Sequence, residues 1–163
     1  MTNHRDPART GIDLALSREH DRTTGVEPSF SGVLSFVRRR YTKNLDAVDG
    51  SVVVLPVDLA TTSRPGARLG PRAIREASSM IAWDRVHGWD YDPFERLAVV
   101  DYGDILVDAS QPEKLTDFIT QNFDDIYRTG AKTLMLGGDH YASYPVLCAL
   151  REQIDESMAL IPF

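Results

Sequence analysis

The chain has 163 residues, of which 42% are hydrophobic, and a formal net charge of −6 at pH 7. Such a length and apolar content are typical of one domain that buries a core. The acidic balance argues against binding to nucleic acid or to an anionic membrane surface. No apolar run approaches the roughly 20 residues that span a bilayer. Cys148 is the single cysteine, which excludes an intrachain disulfide, and no secretory signal is recognisable, so we expect a cytoplasmic protein.

The first part of the chain carries mixed charges without a long apolar core. We predict that residues 1–32 form a flexible tail, with one short helical piece near residues 12–16, and that residues 33–163 form the domain. Residues 36–41 include three consecutive arginines beside an aromatic residue. A nucleic-acid patch and a solvated helix face both explain this run, and the overall acidity favours the helix face.

Apolar runs alternate with helical periodicity along the domain. The β-branched run Ser51–Leu55, which Pro56 stops, predicts a strand buried on both faces of a parallel sheet. A loop from Asp58 to Gly70 follows, and then a helix from Arg72 to about Ala82. We predict that the inner stripe of this helix consists of Ile74, Ala77, Ser78 and Ile81.

Two further strands and two further helices complete the pattern. We predict strands at Leu97–Val100 and Lys132–Leu136 and helices at Pro112–Thr129 and Tyr144–Ile154. Alternating strands and helices form βαβ units with a parallel sheet. The first of these two helices has the clearest apolar stripe, made of Leu115, Phe118, Ile119, Phe123, Ile126 and Tyr127.

The turn after the third predicted strand carries the strongest functional signal. The buried strand Lys132–Leu136 ends in Gly137 and Gly138, and Asp139 and His140 follow. Ligands and metals bind at the carboxyl ends of strands in open α/β sheets, and imidazole is the commonest side-chain ligand of transition metals. Adjacent glycines permit backbone φ values that other residues avoid. His140 is therefore a candidate metal ligand, and Asp139 either orients its ring or joins the ligand shell; an ordinary loop is the alternative.

Other polar residues have a functional and a structural interpretation. His87 lies in an aromatic-rich connector and has no partner at useful spacing, so a loop histidine is favoured over a second ligand. Arg64, Arg68 and Arg72 suggest a phosphate cradle, but the Gly-x-x-x-x-Gly-Lys pattern is absent. The Gly-x-Gly-x-x-Gly pattern of nucleotide-binding folds is absent as well.

Three separated segments resemble the arginase and agmatinase family of ureohydrolases, which are binuclear manganese hydrolases. Residues 55–78 resemble the family's first strand-loop-helix unit, and residues 95–105 resemble its second strand with an Asp-x-Gly-Asp ending. Residues 136–140 stand where the family has its first metal-binding histidine. The loop Ser63–Arg68 and the connector 83–96 are most similar to those of bacterial agmatinases.

The resemblance implies an arginase-like fold, a three-layer α/β/α arrangement with a mainly parallel sheet, of which the chain holds about three or four strands. It implies hydrolysis of a guanidino compound, agmatine, to putrescine and urea by hydroxide bound to two Mn²⁺ ions. It also implies a homo-oligomer at full length. His140 is the single metal ligand that carries over, and no catalytic residue does. Asp101 and Asp104, which have the spacing of paired catalytic carboxylates, are structural in this interpretation.

The family's next strand supplies further ligands, and Met158–Phe163 resembles only its beginning. A single imidazole cannot hold a metal pair, because bridging carboxylates are needed to keep two ions about 3.5–4 Å apart. We therefore expect this chain by itself to be inactive. The alternative to a shortened agmatinase is a non-catalytic fragment that pairs, as an interaction subunit, with a full-length paralogue.

Overall fold

A computed structural model describes residues 30–82, 86–155 and 157–161. The predictions for a tail and for a helix near residues 12–16 fall almost wholly on residues outside these ranges. One parallel sheet has the strand order β2-β1-β3 and consists of β1 (Gly50–Leu55), β2 (Val99–Asp104) and β3 (Lys132–Gly137). The α-helices are α1 (Gly70–Ser78), α2 (Leu115–Tyr127) and α3 (Ser143–Glu152). Short 3-10 helices lie at Phe36–Arg38, Ala67–Leu69, Ser79–Ile81, Pro93–Glu95, Pro112–Lys114 and His140–Ala142.

The two faces of the sheet are covered by different helices, because successive side chains of a strand point to opposite faces. Val53 and Leu55 of β1 belong to the main core together with side chains of α2 and α3. Val52 lies opposite Asp101 of β2 in the parallel register, and Arg75 of α1 reaches Asp101 from this second face. The predicted three-layer α/β/α arrangement is thereby confirmed. The helices contribute Leu115, Ile119, Phe123, Ile126, Val146 and Ala149 to the core.

The predicted apolar stripe holds for α2 but not for α1. In α2 the stripe is buried except for Phe118, which is 40% exposed, and Tyr127, which is half-buried. In α1, by contrast, the buried residues are Pro71, Arg75 and Ser78, whereas Ile74 is exposed. The prediction for Ala77 and Ile81 is also wrong, since both are exposed. The apolar pattern failed in α1 because the buried face of this helix is built around a charged residue.

Arg75 and Asp101 form the ion pair that fastens α1 to the sheet. The Nε and Nη2 atoms of Arg75 donate to Oδ2 and Oδ1 of Asp101 at 2.8 and 2.7 Å, and Nη1 donates to Oδ1 of Asp104 at 2.6 Å. Asp101 is fully buried and also accepts the N–H groups of Phe36 and Gly103. Burial by itself lowers the pKa of Arg75, but the hydrogen bonds to both carboxylates raise that pKa above its usual value. The geometry gives Asp101 and Asp104 a structural role.

Two of the three arginines of residues 36–41 are buried and the third, Arg40, is half-buried, so the prediction of a solvated helix face is wrong. Arg38 and Arg39 are each 3% exposed. Arg38 donates from Nη2 to the carbonyl oxygen of Ser31 at 2.6 Å, and the guanidinium of Arg39 lies 4.2 Å from the ring centroid of Phe94. These contacts replace water around the charges, which local sequence does not reveal.

Strand ends and edges differ from the sequence predictions. Strand β2 begins two residues later than predicted and ends four residues later, so Asp101 lies inside it rather than after it. Strand β3 is at the edge of the sheet and is not buried, since Leu134 is 51% exposed. Of Met158–Phe163, which resembles the beginning of the next strand, residues 158–161 are described; they are exposed and contain no strand.

Replacement of Arg75 by methionine tests the ion pair. The variant leaves the Asp101 carboxylate buried without its counter-charge, and loss of one member of a buried pair costs about 3–5 kcal/mol. We expect the free energy of unfolding, measured by urea titration with circular dichroism, to fall by about this amount. Arg72→Met, an exposed position of the same helix, is the control, with an expected change within about 0.5 kcal/mol. Equal stability of the two variants would contradict the structural role.

Candidate metal-ligand site at the carboxyl end of the sheet

His140 lies where the sequence predicted it, at the carboxyl edge of the sheet. Strand β3 ends at Gly137, which is opposite Leu55, the last residue of β1. The short helix His140–Ala142 begins three residues later, and His140 itself is exposed. An exposed imidazole on this edge is accessible to a ligand or metal ion that approaches from solvent.

Gly138 is required by the close approach of two chain segments. Asp139 donates its N–H to the carbonyl oxygen of Val57 at 2.8 Å, and a Cβ atom added at Gly138 would overlap that oxygen. The reason predicted from the sequence for the Gly137-Gly138 pair is that glycine permits unusual φ values. That reason is wrong, because neither glycine is among the described residues with positive φ. Lack of space, not backbone angle, excludes a side chain at residue 138.

The carboxylate of Asp139 reaches away from the strand into the loop that follows β1. Its Oδ2 atom accepts the N–H of Ala60 at 2.8 Å. Its Oδ1 atom is buried and has no hydrogen-bond partner among the described residues. The bond to Ala60 thus engages one carboxylate oxygen of Asp139 with the loop, and the second oxygen remains an unused acceptor.

A second buried carboxylate, Asp58, organises that loop. Asp58 is 3% exposed; Oδ1 is 2.6 Å from Nη2 of Arg68, and Oδ2 accepts the N–H of Gly66 at 2.7 Å. The pKa of Asp58 lies below its usual value because the Arg68 side chain and the loop N–H groups favour the carboxylate. Thr61 donates its hydroxyl to the Asp58 carbonyl oxygen. Arg68 is thus engaged in an ion pair with Asp58.

Sequence reasoning missed the pairing of Asp58 with Arg68. Nine residues lie between them in the chain, so no helical or strand period links the two positions. The usable signal was a single carboxylate just after the end of a buried strand, followed by a loop containing several arginines. That signal does not say which arginine pairs with the carboxylate.

The residues at this edge fit one metal-ligand position but not a metal pair. His140 offers an imidazole, and Asp139 beside it has an unused carboxylate oxygen. Within residues 30–82, 86–155 and 157–161 there is no group of three or more His, Cys, Asp or Glu side chains that could hold a metal ion. His87 is exposed in the connector before β2. A binuclear manganese centre therefore cannot be built from the described side chains alone.

Comparison with known proteins defines the family to which this fold belongs. The model of the arginase family matches residues 48–163, so the chain belongs to the arginase family. The agmatinase of Chromobacterium violaceum is 44% identical over 151 residues, which are 93% of this chain and 47% of that protein. The guanidinobutyrase of Pseudomonas aeruginosa is 35% identical over 130 residues, or 77% of this chain and 40% of that protein.

Solved structures agree with this assignment. A hypothetical agmatinase from Burkholderia thailandensis superposes with a TM-score of 0.76 and 48% identity, covering 78% of this chain and 40% of that one. The proclavaminate amidino hydrolase of Streptomyces clavuligerus superposes with a TM-score of 0.68 and 30% identity, covering 78% and 42%. The chain thus spans less than half the length of these relatives. In the described ranges, no helix has the length and apolar character needed to cross a membrane.

Gly138→Ala tests the contact between the histidine turn and the loop after β1. The added methyl group overlaps backbone, which cannot rotate away, so we expect the unfolding free energy to fall by about 3 kcal/mol, the upper end for overpacking. Gly137→Ala is the matched control, because a Cβ there meets only side-chain atoms, at 3.4 Å and beyond. Urea unfolding of both variants measures the difference. Similar losses in the two variants would show that contact with the Val57 carbonyl group is not what excludes a side chain at residue 138.

The pH dependence of stability tests the Asp58 carboxylate. A folded-state pKa below the ordinary value of 3.8 contributes stability above that value, which is lost as the pH falls through the folded-state pKa. We expect the native chain to be more stable than Asp58→Asn by a constant amount above about pH 5, with the difference shrinking below about pH 4. Urea unfolding of both proteins from pH 7 to 2.5 measures it. A difference that does not change with pH would rule out a contribution from the Asp58 charge.

Proposed function

We propose that this chain contributes the first metal-ligating histidine, His140, of an agmatinase-like ureohydrolase that hydrolyses agmatine to putrescine and urea. The observation that carries the proposal is the exposed imidazole at the carboxyl edge of the sheet, on a turn that Gly138 and Asp139 bind to the neighbouring loop. The agmatinase of Chromobacterium violaceum supports agmatine as the substrate. The guanidinobutyrase of Pseudomonas aeruginosa supports a guanidino compound as the wider class.

His140 fits a ligand position of Mn²⁺, which would supply positive charge and water activation when bound. The described residues lack a group of three ligands, so the reaction requires ligands beyond these residues. We therefore propose that the 163-residue chain releases no urea by itself. The net charge of −6 suits a cationic substrate such as agmatine. We also propose a cytoplasmic location and a homo-oligomer at full length.

The second candidate function is that of an interaction subunit, and the exposed edge of the sheet favours it. No strand of the described residues pairs with the outer edge of β3. Leu134 on that strand is 51% exposed, and Leu160 and Ile161 are more exposed still. Unpaired apolar edges promote association with other chains. A full-length paralogue of the arginase family is the partner proposed for this edge.

A chimera distinguishes the two functions. In it, the 151 matched residues of this chain replace the corresponding segment of the Chromobacterium violaceum agmatinase. With Mn²⁺ and agmatine we expect urea, and we expect His140→Ala to lower kcat/KM by more than about 100-fold, because even partners of metal ligands cost 10–100-fold. His87→Ala, an exposed loop histidine, is the matched control and should leave urea release unchanged.

The other outcomes of this experiment are equally informative. An inactive chimera, together with co-purification of the 163-residue chain and the intact agmatinase, would favour the interaction subunit. Faster release of urea from guanidinobutyrate than from agmatine would change the substrate but not the reaction. Urea from the 163-residue chain alone, abolished by His140→Ala, would contradict the proposed dependence on further ligands.

A further inference from the structure

We propose that Asp139 is a positioning residue, which holds the turn of His140 against the loop after β1 and thereby fixes where the imidazole is presented. The inference deepens the proposed function and rests on it, because it takes His140 to be a metal ligand. Asp139 itself is assigned neither to the ligand shell nor to the chemistry. Its task is to connect two segments that reach the same edge of the sheet from different strands.

The connection consists of two hydrogen bonds that run in opposite directions. Asp139 donates its N–H to the carbonyl oxygen of Val57, and the Oδ2 atom of Asp139 accepts the N–H of Ala60, each at 2.8 Å. Gly138 packs directly against the same carbonyl group of Val57. One residue of the turn therefore holds two points of the neighbouring segment. Replacement of Asp139 by alanine removes the side-chain bond and leaves the backbone bond in place.

The segment to which Asp139 binds is itself held in place. Asp58 lies between the two bonded residues, and its carboxylate is buried and paired with Arg68 at 2.6 Å. The same carboxylate accepts the N–H of Gly66, so the far side of the loop is bound to its beginning. Because the loop is folded on Asp58, the N–H group of Ala60 is held in a fixed position for its bond to Asp139.

Positioning of this kind affects a neighbouring ligand strongly. His140 follows Asp139 directly, so the hydrogen bonds that hold Asp139 also fix the backbone from which the His140 side chain extends. Removal of a residue that orients a metal ligand lowers metal affinity or activity by about 10–100-fold. We therefore expect loss of the Asp139 carboxylate to raise the Mn²⁺ requirement without removing any ligand.

Hydrogen exchange of the 163-residue chain tests the connection without metal or substrate. In Asp139→Ala the Ala60 N–H loses its acceptor, and we expect it to exchange at least about 10-fold faster, as for the loss of about 1.4 kcal/mol of protection. Asp139→Asn keeps a carbonyl oxygen as acceptor and should restore slow exchange. Asp125→Ala, on an exposed helix face, is the matched control. Unchanged exchange at Ala60 in Asp139→Ala would overturn the proposal.

The Mn²⁺ requirement of the active chimera tests the consequence. We expect Asp139→Ala to raise the Mn²⁺ concentration for half-maximal urea release by about 10-fold or more, and Asp139→Asn to rescue most of it. Slow exchange at Ala60 in Asp139→Asn, combined with a loss of activity as large as that of alanine, would overturn positioning, because Asp139 would then act through its charge. Absence of urea from the unsubstituted chimera would refute the proposed function, while hydrogen exchange would still decide the connection.

Discussion

The bidentate pair of Arg75 with Asp101 is the constraint on which the arrangement of the rest depends. It joins α1 to the centre of β2, and the same carboxylate accepts the N–H of Phe36, which brings the segment before β1 onto the same face. A charge buried in this way is stable only with its partner in place. The second face of the sheet is therefore organised by charge, whereas the first face is organised by the apolar core of α2 and α3.

The position of the loop between β1 and α1 is fixed by contacts at both of its ends. Its far end enters α1, which Arg75 holds on the sheet, and its near end is bound to the histidine turn through Val57 and Ala60. Between these ends the ion pair of Asp58 and Arg68 folds the loop on itself. The ion pair of Asp58 and the hydrogen bonds of Asp139 thus hold the loop segment beside the His140 turn.

The sequence predicted the elements that depend on local pattern. The continuous β-branched run Ser51–Leu55 predicts a strand, and the 3.6-residue apolar stripe predicts the buried face of α2, because residue type and spacing are properties of the chain itself. The predictions for Arg39 and for the buried face of α1 are wrong, because a charged side chain enters the interior only with a partner, and the partners here, Phe94 and Asp101, are distant in sequence. For the same reason the pairing of Asp58 with Arg68 was not foreseen.

By itself the sequence determined the class of fold, the order of strands and helices, and His140 as the candidate ligand. Each of these depends on residue type, spacing, or resemblance to the arginase family, which the match over residues 48–163 confirms. Only the tertiary structure decided that Gly138 is needed for space, that Asp139 binds Ala60, and that β3 is an edge strand. These features depend on which distant segments meet, and contact between segments arises from packing in three dimensions rather than from any local pattern.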